Sequence, residues 1–166
     1  MEPSTASRRW TAELGRPLGS ASGDSARLYV AADDSTLFAI DPANGNRLWS
    51  RTLPFPFTAG ATPVGELLIV AGLDGHLVGL AAATGETVWS IALGGPFISR
   101  PAVNGESLVI GSPSGLVWYL DARTGAVRGR FRLDDPVLVT PVFVDGLWIV
   151  AGERGVLAAC RWKEAS

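Results

Sequence analysis

The stretch Ala39-Ile40-Asp41-Pro42-Ala43-Asn44-Gly45-Asn46-Arg47-Leu48-Trp49 decides the fold, because its pattern returns twice further along the chain. Gly79 to Trp89 carries it again around Thr84-Gly85, and Tyr119 to Gly129 around Thr124-Gly125. The three glycine turns stand 40 residues apart, as do Trp49 and Trp89. Leu53, Leu93 and Leu133 keep the same beat, and so do Val70, Ile110 and Val150. Short apolar runs flank each turn, and glycine supplies the positive φ that tight hairpins need. A period of this length, with each unit too small to bury its own faces, marks a β-propeller built of one small sheet per repeat.

The beat divides the 166 residues into repeats at about 17–53, 54–93, 94–133 and 134–162, read as one domain over 1–166. Each repeat reads as a four-stranded antiparallel meander. The fourth lacks an outer strand with its tryptophan, whereas residues 8–14 resemble the ends of the first and second repeats, Leu48 to Leu53 and Val88 to Leu93. The expectation is therefore an all-β propeller of four four-stranded blades, the last completed by the N-terminal strand, since closure removes sheet edges open to pairing. Loop-closure entropy favours pairing within one chain. Two chains joined into one eight-bladed ring use the same edges, and so does a piece of a larger propeller.

Trp10, Trp49 and Trp89 share one repeat position, so they are read as blade-docking residues rather than as a ligand cage. The third repeat has Gly129 there, leaving Trp118 and Trp148 as candidates to fill the space.

Composition excludes several classes. The net charge is −2, and Arg128, Arg130 and Arg132 alternate along one strand, as on a solvated face. A nucleic-acid surface needs a basic stripe instead. Cys160 is the single cysteine, so no internal disulfide forms, and with His76 as the single histidine no ordinary zinc set exists. Cys160 reads as a buried, inert thiol. Residues 1–9 are polar, without the apolar core of a signal peptide, and no run approaches the ~18 apolar residues of a membrane span. A soluble protein of unassigned compartment is expected.

No nucleophile, base and orienting acid can be assembled around His76, so no catalytic residue is expected. Asp33, Asp34, Asp74 and Glu153 fall in corresponding turns and read as water-facing acids rather than a cation ring. The connections between repeats carry more information. Four residues beyond each repeat-final leucine stand Leu18, Phe57, Phe97 and Val137, expected to form an apolar ring near the axis. Phe55 lies outside that set and is expected to be exposed. Arg100, before Pro101, is aligned with Thr62 and Thr140 at the top of an inner strand. Phe55, Phe57, Phe97, Arg100 and His76 are the candidate ligand- or partner-binding residues, because exposed aromatics and arginines favour interfaces.

The segment Ala39 to Trp49 resembles the tryptophan-docking motif of quinoprotein-type propellers, Ala-x-Asp-x-x-Thr-Gly-x-x-x-Trp. Gly79 to Trp89 matches with Ala81 for the aspartate, and Tyr119 to Gly129 keeps Asp121, Thr124 and Gly125. The resemblance covers about residues 8–162. It implies the blade architecture. Enzymes of the family are about three times longer and hold a quinone with calcium, a catalytic aspartate and usually a vicinal disulfide. One cysteine and four repeats point instead to the non-enzymatic branch, with no cofactor and no metal. The function expected is a non-catalytic scaffold that recognises a protein, peptide or small ligand on one face, as monomer or homodimer. A quinone-dependent dehydrogenase remnant, or a half-propeller that dimerises, is the alternative.

Overall fold

The computed structural model describes residues 7–16, 18–57 and 59–162, so the expected repeat start at residue 17 and both ends of the 1–166 domain lie outside them. Fifteen strands form four antiparallel sheets among these residues. The first sheet is β1 (Leu18–Gly23), β2 (Leu28–Ala32), β3 (Thr36–Ile40) and β4 (Arg47–Thr52). The second is β5 (Ala61–Val64), β6 (Leu67–Ala71), β7 (His76–Ala81) and β8 (Thr87–Ala92). The third is β9 (Ala102–Asn104), β10 (Ser107–Gly111), β11 (Leu116–Asp121) and β12 (Val127–Arg132). The fourth is β13 (Val142–Val144), β14 (Leu147–Ala151) and β15 (Leu157–Cys160). Strands pair with their chain neighbours throughout, so every sheet is a meander. This is the propeller fold that the beat of 40 predicts.

The two middle strands of each of the first three sheets are apolar on both faces because both faces are covered. Tyr29, Ala31, Leu37 and Ala39 of the first sheet meet Leu68, Val70, Val78 and Leu80 of the second. Ile69, Ala71 and Leu77 then meet Leu108, Ile110, Trp118 and Leu120 of the third. Val109, Val117 and Tyr119 meet Trp148, Val150 and Ala158 of the fourth. Strand alternation thus sends successive residues to successive interfaces. The hydrophobic effect, at roughly 25 cal/mol per Å² of apolar surface, acts between sheets rather than within one.

The structure differs from the sequence reading at three points. The fourth sheet has three strands, and residues 7–14 carry no strand, so the N-terminal segment is not zipped onto β15. The apolar ring is not one ring. Phe57, Phe97 and Val137 are buried in three separate inter-sheet wedges, while Leu18 lies exposed on β1. Phe55, expected to be exposed, is 5% accessible and packs in the first wedge.

The two ends of the sheets are built differently. At one end the inter-sheet connections are stitched to the β6–β7, β10–β11 and β14–β15 turns. Leu73 N–H donates to Pro56, Phe97 N–H to Gly72, Val137 N–H to Ser112, and Glu153 N–H to Pro136. At the other end the β7–β8 and β11–β12 turns are tied to the neighbouring hairpins, with Ala82 N–H on Glu66 and Ala122 N–H on Glu106.

Candidate binding face

Three tryptophans each cross to lie on the glycine turn of a neighbouring unit, and two of them also donate a hydrogen bond there. Trp49 donates its indole N–H to the Ala82 carbonyl at 3.1 Å and lies on Gly85. Trp89 lies on Gly125. Trp10 donates to Pro42 at 2.9 Å and lies on Gly45. A Cβ built on Gly85 (φ 75°) would stand 2.9 Å from the Trp49 ring, so the turn needs glycine both for its conformation and for the close approach. These side chains are latches between sheets and present no cage. At Gly129, where the third repeat lacks its tryptophan, neither Trp118 nor Trp148 fills the space. Trp162 does, stacked on Tyr119 at 4.9 Å and tilted against Phe131.

Arg100 stands before β9, and strand register aligns it with Gly60 rather than Thr62, because Thr62 pairs with Ile69 as Ala102 pairs with Val109. Its guanidinium donates to the carbonyl of Ala59 and, at 3.0 Å, to that of Ala21 on β1. Gly60 (φ 75°) leaves the room this reach requires. Arg100 therefore ties the first and third sheets through the second connection. Its donors are directed inward at backbone.

His76 opens β7 and stacks on Phe55 with ring centroids 5.7 Å apart and planes 13° from parallel. Its Nδ1 is 2.7 Å from the Asp74 carboxylate. A cavity of 360 Å³ beside them is lined by Arg51, Phe55, Asp74, His76 and Thr87, among others. Arg51 is held there by the Gly85 carbonyl and the Thr87 hydroxyl. Of the five candidate residues, Phe55 and His76 come together, Phe57 and Phe97 are buried apart, and Arg100 is engaged elsewhere.

The acids of the turns do not converge. Asp34 pairs with Arg16, Asp74 with His76, and among the described residues no three His, Cys, Asp or Glu side chains come within reach of one ion. The arginine row follows its expected role as a strand face. Arg128 pairs with Asp121, and Arg132 donates to the Ser114 carbonyl at 2.6 Å. Cys160 is half-buried, and burial pushes its thiol above the ordinary value.

Sequence reasoning missed Asp135. It is 3% accessible and its carboxylate accepts the N–H groups of Arg154 and Val156, closing the β14–β15 turn. It also missed the apolar side chains left in water at the connection end. Ile98 is 45% and Val139 53% accessible, both on connections pinned by Phe97 and Val137 one and two residues earlier. No periodic signal marks them, since they fall on different beats.

Stacked antiparallel meanders with tryptophan latches define the class, a β-propeller of quinoprotein-type repeats. The chain belongs to the family whose model, described as outer membrane protein assembly factor BamB, matches residues 1–96 and again 73–164. BamB from Moraxella catarrhalis has a similar structure, at 26% identity and a TM-score of 0.81, over 91% of this chain and 48% of that one. This chain thus spans about half the length of that protein. The computationally designed Ika4 protein superposes with a TM-score of 0.84 at 16% identity, over 95% and 99% of the two chains. Quinohemoprotein alcohol dehydrogenase from Comamonas testosteroni follows with 26% identity and a TM-score of 0.60, over 70% of this chain and 21% of that one. No individually curated protein matches the sequence.

The donor set does not fit a quinone with calcium. The carboxylates are dispersed among the described residues, and a single cysteine cannot form a vicinal disulfide. No helix among the described residues is long and apolar enough to cross a membrane.

Proposed function

We propose that the chain is a non-catalytic propeller module that binds a protein or peptide through its connection end. The observation that carries this reading is the pair Ile98 and Val139, left in water on connections whose backbones are fixed by the Gly72 and Ser112 carbonyls. A rigid loop bearing an exposed apolar side chain binds at low entropic cost, because nothing has to be ordered on contact. Membership of a family described as an assembly factor supports the reading, since assembly proceeds by contact rather than bond chemistry.

A photo-crosslinking amino acid placed at 98, 139 and 86 tests it, because residue 86 lies in the turn at the opposite end. Adducts with one protein partner at 98 and 139 but not at 86 are expected. Adducts confined to 86, or alcohol oxidation on adding quinone and calcium, would overturn the reading.

A further inference from the structure

The two outer sheets have unmatched ends that fit one another. Among the described residues β15 pairs with β14 alone. Leu157 on it is 69% accessible, although Leu37, Leu77 and Val117 on the same beat are 0%. Val142 and Val144 on β13 are exposed as well. Each of those three buried counterparts is covered by the following sheet, and no sheet among the described residues covers Leu157.

The first sheet shows the opposite lack. Its upstream face, Val30, Ala32, Phe38 and Ile40, is capped by Trp10 and Leu14, and no residue of the fourth sheet joins that cluster. Trp10, Ala12 and Leu14 are half-buried, alternating with exposed Arg9, Thr11 and Glu13. Trp49, Arg51 and Leu53 alternate with exposed neighbours in the same way on and just beyond β4. The N-terminal segment thus has the alternation and latch of an outer strand, with no sheet beside it. Its indole sits on Gly45 as that of Trp49 sits on Gly85.

We propose that a second copy of this chain supplies the missing neighbour. Residues 8–14 of each copy lie along β15 of the other as its fourth strand, and Leu157 is covered by the other copy's first sheet. The occupant is a second copy because the chain itself carries both halves of the junction, and because the latch repeats one already present at successive sheet interfaces. Two such head-to-tail joints satisfy both open edges at once, whereas a single joint leaves one exposed.

The beat fixes the register. Ile40 faces Arg47, Leu80 faces Thr87 and Leu120 faces Val127, each two residues before the latch position. Cys160 stands on the beat of Ile40, Leu80 and Leu120, so it faces Arg8 of the second copy. Facing residues on paired strands lie close enough for a disulfide after small adjustments.

Sedimentation of the full chain and oxidation of an Arg8→Cys variant test the joint. The expected mass is twice 17.4 kDa. The oxidised variant should run as a reducible dimer on a denaturing gel, while Glu13→Cys should not. Leu157→Lys, on an exposed side chain, should leave the fold intact and shift the mass to a single copy. Four results would each overturn the proposal: a single-copy mass at every concentration, a bridge in the Arg8→Cys variant that closes onto Cys160 of the same chain, a ladder of higher multiples, or no effect of Leu157→Lys.

Discussion

Trp162 stacks on Tyr119 with ring centroids 4.9 Å apart and planes 7° from parallel, in the space that Gly129 leaves open. The chain has kept the third interface filled by bringing an indole from beyond β15 rather than from β12. The substitution moves the source of the side chain and preserves the volume.

Trp162→Ala is expected to destabilise the protein by about 3 kcal/mol, the lower end for truncating a packed tryptophan. A Cβ on Gly129 would lie 2.8 Å from the Trp162 ring, so Gly129→Ala should be costly alone and nearly neutral beside Trp162→Ala. Urea unfolding of the four proteins gives the coupling, which should exceed about 0.5 kcal/mol. Additive costs would mean that the two positions do not share a space.

Arg100→Ala should cost about 2 kcal/mol, because charged hydrogen bonds to the Ala59 and Ala21 carbonyls are lost together. Hydrogen exchange should rise in β1, which is far in sequence but tied by that guanidinium. A variant with unchanged stability and exchange would place the side chain in solvent.

Asp135→Ala should also cost about 2 kcal/mol, since the N–H groups of Arg154 and Val156 lose their acceptor. Asp135→Asn should recover part of this, as its amide keeps one acceptor oxygen. Thermal unfolding ranks the two against the parent. Equal melting of all three would refute the turn-closing role.

Acid should weaken the third sheet through Asp121. Burial alone would raise its carboxyl, but the N–H groups of Thr124 and Arg123 and the Arg128 guanidinium outweigh this and hold it below the ordinary 3.8. A carboxyl lowered on folding stabilises fully above its unfolded value and loses that contribution as pH falls through the folded one. Stability should therefore decline below about pH 4, and Asp121→Asn should flatten that decline. Urea midpoints measured from neutral to acid pH decide it.

The fold was legible because sheet-on-sheet burial forces every repeat to solve the same problem with the same residue types. Leu37, Leu77 and Val117 look alike because each fills the corresponding position of its own inter-sheet wedge. The site was less legible for four physical reasons. Proline is tolerated at neighbouring positions of an edge strand, so Pro63 and Pro101 misled the alignment of Arg100, which strand pairing sets against Gly60. Compensation by Trp162 is off the beat, and periodicity cannot reveal a contact that has no period. Asp135 resembles any acid in a connection, and only its enclosure shows that it serves two backbone donors. Leu157 looks like a core residue by its beat, and its exposure becomes visible only once the sheets are stacked.

The latches span 32 residues from Trp10 to Pro42 and 33 from Trp49 to Ala82. Each tryptophan leaves the ribosome before the turn that receives it, and waits for one short stretch of chain rather than for the whole protein. Loops of nearly equal length carry nearly equal closure entropy. Synthesis and folding can thus advance in matched increments, each newly made sheet capturing the indole left dangling by the one before.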